Sequence, residues 1–182
     1  EIVFCGYGEP TIKIDLLLEV AKYIKNNYPN ILIRINTNGH ANLIHKRDIV
    51  LEIKGFVDAV SISLNAQNAK LYEELSKPQM DAKKAYQGML DFAKACVDAG
   101  IDTTMSVVTG FENYKVDIKQ CEKIATKIPK IYIHKVIKST FAKPKDAAIQ
   151  PDIAVKIGSL APHEKNGMTL MVEILSFSSA IA

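Results

Sequence analysis

Cysteine is scarce in this sequence. The 182 residues hold three, Cys5, Cys96 and Cys121, an odd and widely spaced set. Such a set excludes a disulfide framework and has no metal-ligand spacing; it suits a reducing compartment, and a cytoplasmic location is expected. Charge of one sign is equally lacking. Lys and Arg total 23 and Asp and Glu 20, leaving +3, without the concentrated basic face of a dedicated nucleic-acid binder. No apolar run approaches the ~18 residues of a membrane span, and no signal-peptide pattern opens the sequence. A nucleophile elbow, a Walker loop, a His/Glu zinc pair and a paired-carboxylate motif are all missing. What is there is ordinary globular material, 48% hydrophobic and 24% charged. The first residue is a Glu at the start of an apolar strand, so we expect a chain whose true N-terminal part lies upstream.

The pattern alternates strand and helix. Strands are expected at Glu1–Phe4, Ile31–Asn36, Val57–Leu64, Asp102–Val108 and Lys130–Ile137. Helical spacing is expected over Ile14–Asn27, His45–Ile53, Gln67–Leu75, Asp81–Ala99 and Val116–Lys127. Parallel neighbours need crossover connections, so this order implies one parallel sheet with strands in sequence order. The strands read as near-continuous apolar runs, which implies helices on both faces. An open doubly wound sheet and part of a (β/α) barrel both fit, and both gather their chemistry at the carboxyl ends of the strands. Residues 139–182 form an extension of a different kind. Asp152–Leu160 reads as a strand or short helix. Met168–Phe177 is apolar enough to cover the edge of the first strand or to pair elsewhere.

The strand ends carry the polar candidates. The first ends in Cys5-Gly6-Tyr7-Gly8-Glu9-Pro10-Thr11, where glycines allow close backbone approach and Glu9 can hold an ammonium group or simply sit in a solvated turn. The second ends in Asn36-Thr37-Asn38-Gly39-His40; Thr37 and Asn38 can bond a ligand or serve the turn itself. Ser61, Ser63 and Asn65 alternate along the third strand and share a face, needing a polyhydroxylated ligand or buried water as partner. Thr104, Ser106 and Thr109 repeat the theme on the fourth. His134 either faces the site or satisfies a core hydrogen bond, and Cys5 is either reactive or packed.

Together the runs Val3–Thr11, Asn36–His45 and Val60–Ala66 resemble the core of a radical S-adenosylmethionine (SAM) enzyme. They are most similar to the radical-SAM proteins associated with TatD-type nucleases. The resemblance covers residues 1–138 and implies a partial parallel (β/α) barrel comprising strands two to six. It implies that Gly6, Tyr7, Gly8 and Glu9 lie at the methionine amino group of SAM. Thr37 and Asn38 would lie at the methionine or substrate end, Ser61, Ser63 and Asn65 at the ribose, and Ser106 on the strand that flanks the adenine. The family's 4Fe–4S cluster is held by a Cys-x₃-Cys-x₂-Cys loop that this sequence lacks, so the cluster ligands are expected outside this chain, with the fragment alone inactive. The implied partners are SAM, an unknown substrate and an electron donor such as a flavodoxin or ferredoxin, with no nucleic acid and no membrane. Two other readings stand beside it: a cluster-free barrel acting as a binding or partner module, and an aldolase-like barrel using Lys135 or Lys138 as a Schiff-base lysine.

Overall fold

In the computed structural model, residues 1–6, 8–109, 115–137, 158–159 and 170–173 are described. Five strands, β1 (Ile2–Cys5), β2 (Ile33–Thr37), β3 (Ala59–Ser63), β4 (Asp102–Thr109) and β5 (Tyr132–Ile137), lie in sequence order in one sheet. Each pairs in parallel with the next. Between them run α1 (Ile14–Asn27), α2 (Ala41–His45), α3 (Ile49–Ile53), α4 (Ala69–Ser76), α5 (Ala82–Asp98) and α6 (Ile118–Ala125). This is the parallel α/β sheet expected of a partial barrel.

The longest helix shows how local sequence sets its bounds. The Asp81 side chain accepts from Lys84 N at 2.8 Å and caps the start of α5. Ala85, Met89, Phe92, Ala93 and Cys96 form its buried stripe. Gly100, at φ +83°, ends it in the left-handed conformation that glycine takes without strain.

Burial along the strands alternates. Ile33, Ile35, Val60, Ile62, Met105 and Val107 join the helix-covered core, where each such side chain contributes about 1.5–3 kcal/mol. The intervening Arg34, Asn36, Ser61, Ser63, Thr104 and Ser106 are exposed or half-buried. Among the described residues the second face of β2, β3 and β4 is the more polar one, whereas β1 buries Val3 and Cys5 on that face as well. The single helix expected at His45–Ile53 is corrected. Lys46 at φ +54° breaks the chain between α2 and α3, and Asp48 caps α3 by accepting from Val50 N and Leu51 N.

Two further strands extend the sheet beyond β1. Strand β7 (Leu170–Glu173) pairs in parallel with β1, in the register Ile2 with Leu170 and Cys5 with Glu173. Strand β6 (Gly158–Ser159) pairs antiparallel with β7. Part of the apolar Met168–Phe177 run thus lies against the first strand. The remainder of that run, most of Asp152–Leu160 and residues 139–157 lie outside the described residues.

Candidate active site

The carboxyl ends of β1, β2 and β3 enclose a cleft of about 410 Å³ lined by Cys5, Gly6, Gly8, Glu9, Asn36, Thr37, Asn38 and Ser63. That volume lies within the ~300–1,000 Å³ typical of small-molecule sites.

Glu9 organises this cleft. It directly precedes a 3-10 turn, Pro10–Lys13, that it caps. Its Oε1 accepts from Thr11 N at 3.1 Å and from the Thr11 hydroxyl at 2.7 Å, and from the Thr37 hydroxyl at 2.6 Å. Its Oε2 accepts from Asn38 N at 2.7 Å. A carboxylate offers roughly four lone-pair sites, two on each oxygen. Oε1 is therefore saturated, and Oε2 retains one acceptor position. The carboxylate is a clasp between the β1 turn and the end of β2, with one side left for a ligand.

The turn after β2 is held by its own polar groups. The Thr37 oxygen accepts from Gly39 N at 3.1 Å, and Asn38 Oδ1 accepts from His40 N at 2.9 Å. Among the described residues, Asn38 Nδ2, the Asn36 amide and the hydroxyls of Ser61 and Ser63 have no hydrogen-bond partner. A ligand would find those donors and acceptors open.

The other sequence candidates are placed differently. Asn65, at φ +54°, uses its Oδ1 to accept from Val108 N at 3.2 Å, stitching the end of β3 to β4. The Ser106 hydroxyl donates to the Ile62 carbonyl at 3.5 Å. Ser61, Asn65 and Ser106 do not line the cleft. Tyr7 and Lys138 lie outside the described residues, and His134 is in register with Ser106 on β5. Two lining residues were not singled out as ligand contacts: Cys5, the last residue of β1, and Asn36. The period-two alternation that places Ser61 and Ser63 on one face also places Asn36 there, beside Ser61 in register.

The three cysteines do not fit an iron–sulfur cluster. All three are buried, on β1, α5 and α6. Burial pushes the Cys96 thiol up to about 12 and the Cys121 thiol up to about 11, which opposes the thiolate that a metal needs. Among the described residues no group of His, Cys, Asp and Glu is placed to hold a metal ion, and no helix is long and apolar enough to cross a membrane.

The model of the radical SAM superfamily matches residues 1–137, and the chain belongs to that superfamily. Among solved structures, the chain is similar to a domain of pyruvate-formate lyase-activating enzyme from Bacteroides vulgatus ATCC 8482, at 14% identity and a TM-score of 0.49, over 72% of this chain and 97% of that one. No curated protein matches it in sequence.

Proposed function

We propose that this chain is the SAM-binding core of a radical SAM enzyme, of the kind associated with TatD-type nucleases. The observation that carries this reading is the open side of Glu9 Oε2. It faces a cleft at the carboxyl edge of a parallel sheet, with the unpartnered amides of Asn36 and Asn38 and the Ser63 hydroxyl around it. An ammonium group supplies the donor that Oε2 still accepts, and the charge assists the bond. Asn38 Nδ2 can donate to the methionine carboxylate. Ser63, with Ser61 one alternation below it, offers hydroxyls to a ribose. Gly6 and Gly8 bring backbone close to the ligand without a side chain between.

The polar groups around Glu9 support a SAM pocket on this chain, and the buried Cys96 and Cys121 do not fit cluster ligation. On its own the chain binds SAM without cleaving it. A second reading, a cluster-free module that binds without catalysis, is favoured by the same burial of Cys96 and Cys121. Anaerobic iron–sulfide reconstitution of a longer natural form separates the two: uptake of a cluster with formation of 5′-deoxyadenosine supports the enzyme, and a form that takes up no cluster and yields no 5′-deoxyadenosine supports the module.

The binding claim is tested by calorimetric titration of SAM into the wild-type chain and Glu9→Gln. The variant keeps the size of the side chain but replaces one acceptor oxygen with a donor. Loss of about tenfold or more in affinity is expected from one charge-assisted hydrogen bond. Equal affinities would contradict the assignment of Glu9.

A further inference from the structure

One buried polar pair lies behind the cleft rather than in it. His40 is 5% exposed and Tyr72 is 1% exposed. The Tyr72 hydroxyl and His40 Nε2 are 3.1 Å apart, with the rings edge-on at 6.0 Å. In either tautomer of the neutral ring, Nε2 and the Tyr72 hydroxyl can pair as donor and acceptor. Tyr72 in turn stands edge-on to Tyr86 at 5.6 Å, and the Tyr86 hydroxyl donates to the Ala66 carbonyl at 3.1 Å.

His40 is one residue beyond the turn that holds Glu9. Its N–H donates to Asn38 Oδ1, and the Asn38 N–H donates to Glu9 Oε2. The turn has little slack. Gly39 is at φ +77°, and a Cβ there would meet Met89 Cγ at 3.0 Å and Ile62 Cγ2 at 3.1 Å. Contacts therefore run without a gap from Tyr72 on α4, through His40 and Asn38, to the carboxylate of the cleft.

We infer that His40 and Tyr72 are positioning residues of this site: their buried hydrogen bond fixes the Asn38 amide against Glu9 and so sets the direction of the open oxygen. The consequence for a ligand rests on the SAM reading above; the consequence for the Asn38 amide does not.

The test uses the full chain and Tyr72→Phe, which deletes one hydroxyl and keeps the ring. Amide hydrogen exchange is followed by NMR at Asn38 and, as an internal reference, at Ile62 on β3, and SAM affinity is measured in parallel. Loss of one buried hydrogen bond is expected to speed exchange at Asn38 by about two- to tenfold and to weaken SAM binding by a similar factor, with Ile62 unchanged. Unchanged exchange at Asn38 would overturn the inference. So would equal acceleration at Asn38 and Ile62, which marks a general loss of stability. If Asn38 alone accelerates while SAM affinity stays as in wild type, positioning of the ligand oxygen is overturned. If wild type itself binds no SAM, the SAM reading fails, and the exchange at Asn38 still decides the inference.

Discussion

The Thr37 hydroxyl donates to the Glu9 carboxylate at 2.6 Å, joining the end of β2 to the turn after β1 across 28 residues of chain. The same oxygen accepts from the Gly39 N–H. Thr37 is 4% exposed, so water does not replace either bond. Replacement by Val keeps the shape and removes both. Thr37→Val is expected to cost about 1–3 kcal/mol, because the Gly39 N–H is left buried without an acceptor. Urea denaturation measures this; an unchanged midpoint and slope would show that the hydroxyl holds nothing.

The stability of the chain should depend on pH through His40. Burial disfavours the charged ring and lowers its pKa below 6.5, outweighing the opposing pull of Glu9 and the Ala85 carbonyl. Between that lowered value and 6.5 the unfolded chain binds the proton more readily than the folded one. The contribution is therefore complete above pH 6.5 and is lost as pH falls through 6.5 toward the folded pKa. Thermal unfolding between pH 7 and pH 5 should show a steeper fall for wild type than for His40→Gln. Parallel curves would place the titration elsewhere.

The cysteines give a chemical check on the packing. Cys96 and Cys121 should resist iodoacetamide in the folded chain at pH 8, since burial pushes their thiols up to about 12 and about 11, and both should react once urea unfolds it. Mass spectrometry of the labelled peptides reads this directly. Rapid native alkylation of Cys121 would contradict the burial of α6 against the sheet.

Strand β7 covers β1 along four residue pairs, from Ile2–Leu170 to Cys5–Glu173. Deleting residues 158–182 uncovers that edge, and an uncovered strand edge templates association. The shortened chain is expected to aggregate at concentrations where the full one stays dispersed, as read by light scattering. Equal scattering would show that β7 is dispensable for covering β1.

Much of this was legible from sequence, for physical reasons that differ by element. The order of β1 to β5 follows from alternation and the crossover rule. Helix α5 follows from its apolar spacing, its Asp81 cap and Gly100. The break between α2 and α3 had one visible signal, Asp48 just before an apolar turn. Its other half, the left-handed Lys46, has no signal, because lysine does not prefer that conformation. Asn42 supports the break by accepting from Ile49 N at 2.9 Å, a bond between separate elements.

The site was legible as a set of strand-end polar residues, but not as a network. Glu9 and Asn65 look alike in sequence, each a polar group at a strand end. Three dimensions separate them: Asn65 is engaged by the backbone of β4, whereas Glu9 keeps an open acceptor position above the cleft. The partner of β7 was half legible: apolarity calls for burial, and the edge of the first strand was one of two places the sequence left open for it.

The central claim is that SAM occupies the Glu9 cleft. Its most direct test is a titration of the isotope-labelled full chain with SAM, followed by amide chemical shifts. The account predicts that the largest changes fall at Gly6, Gly8, Asn38 and Ser63. Changes centred instead on the separate groove between α5 and α6, lined by Leu90, Lys94, Ile124 and Lys127, or no saturable change at all, would contradict it.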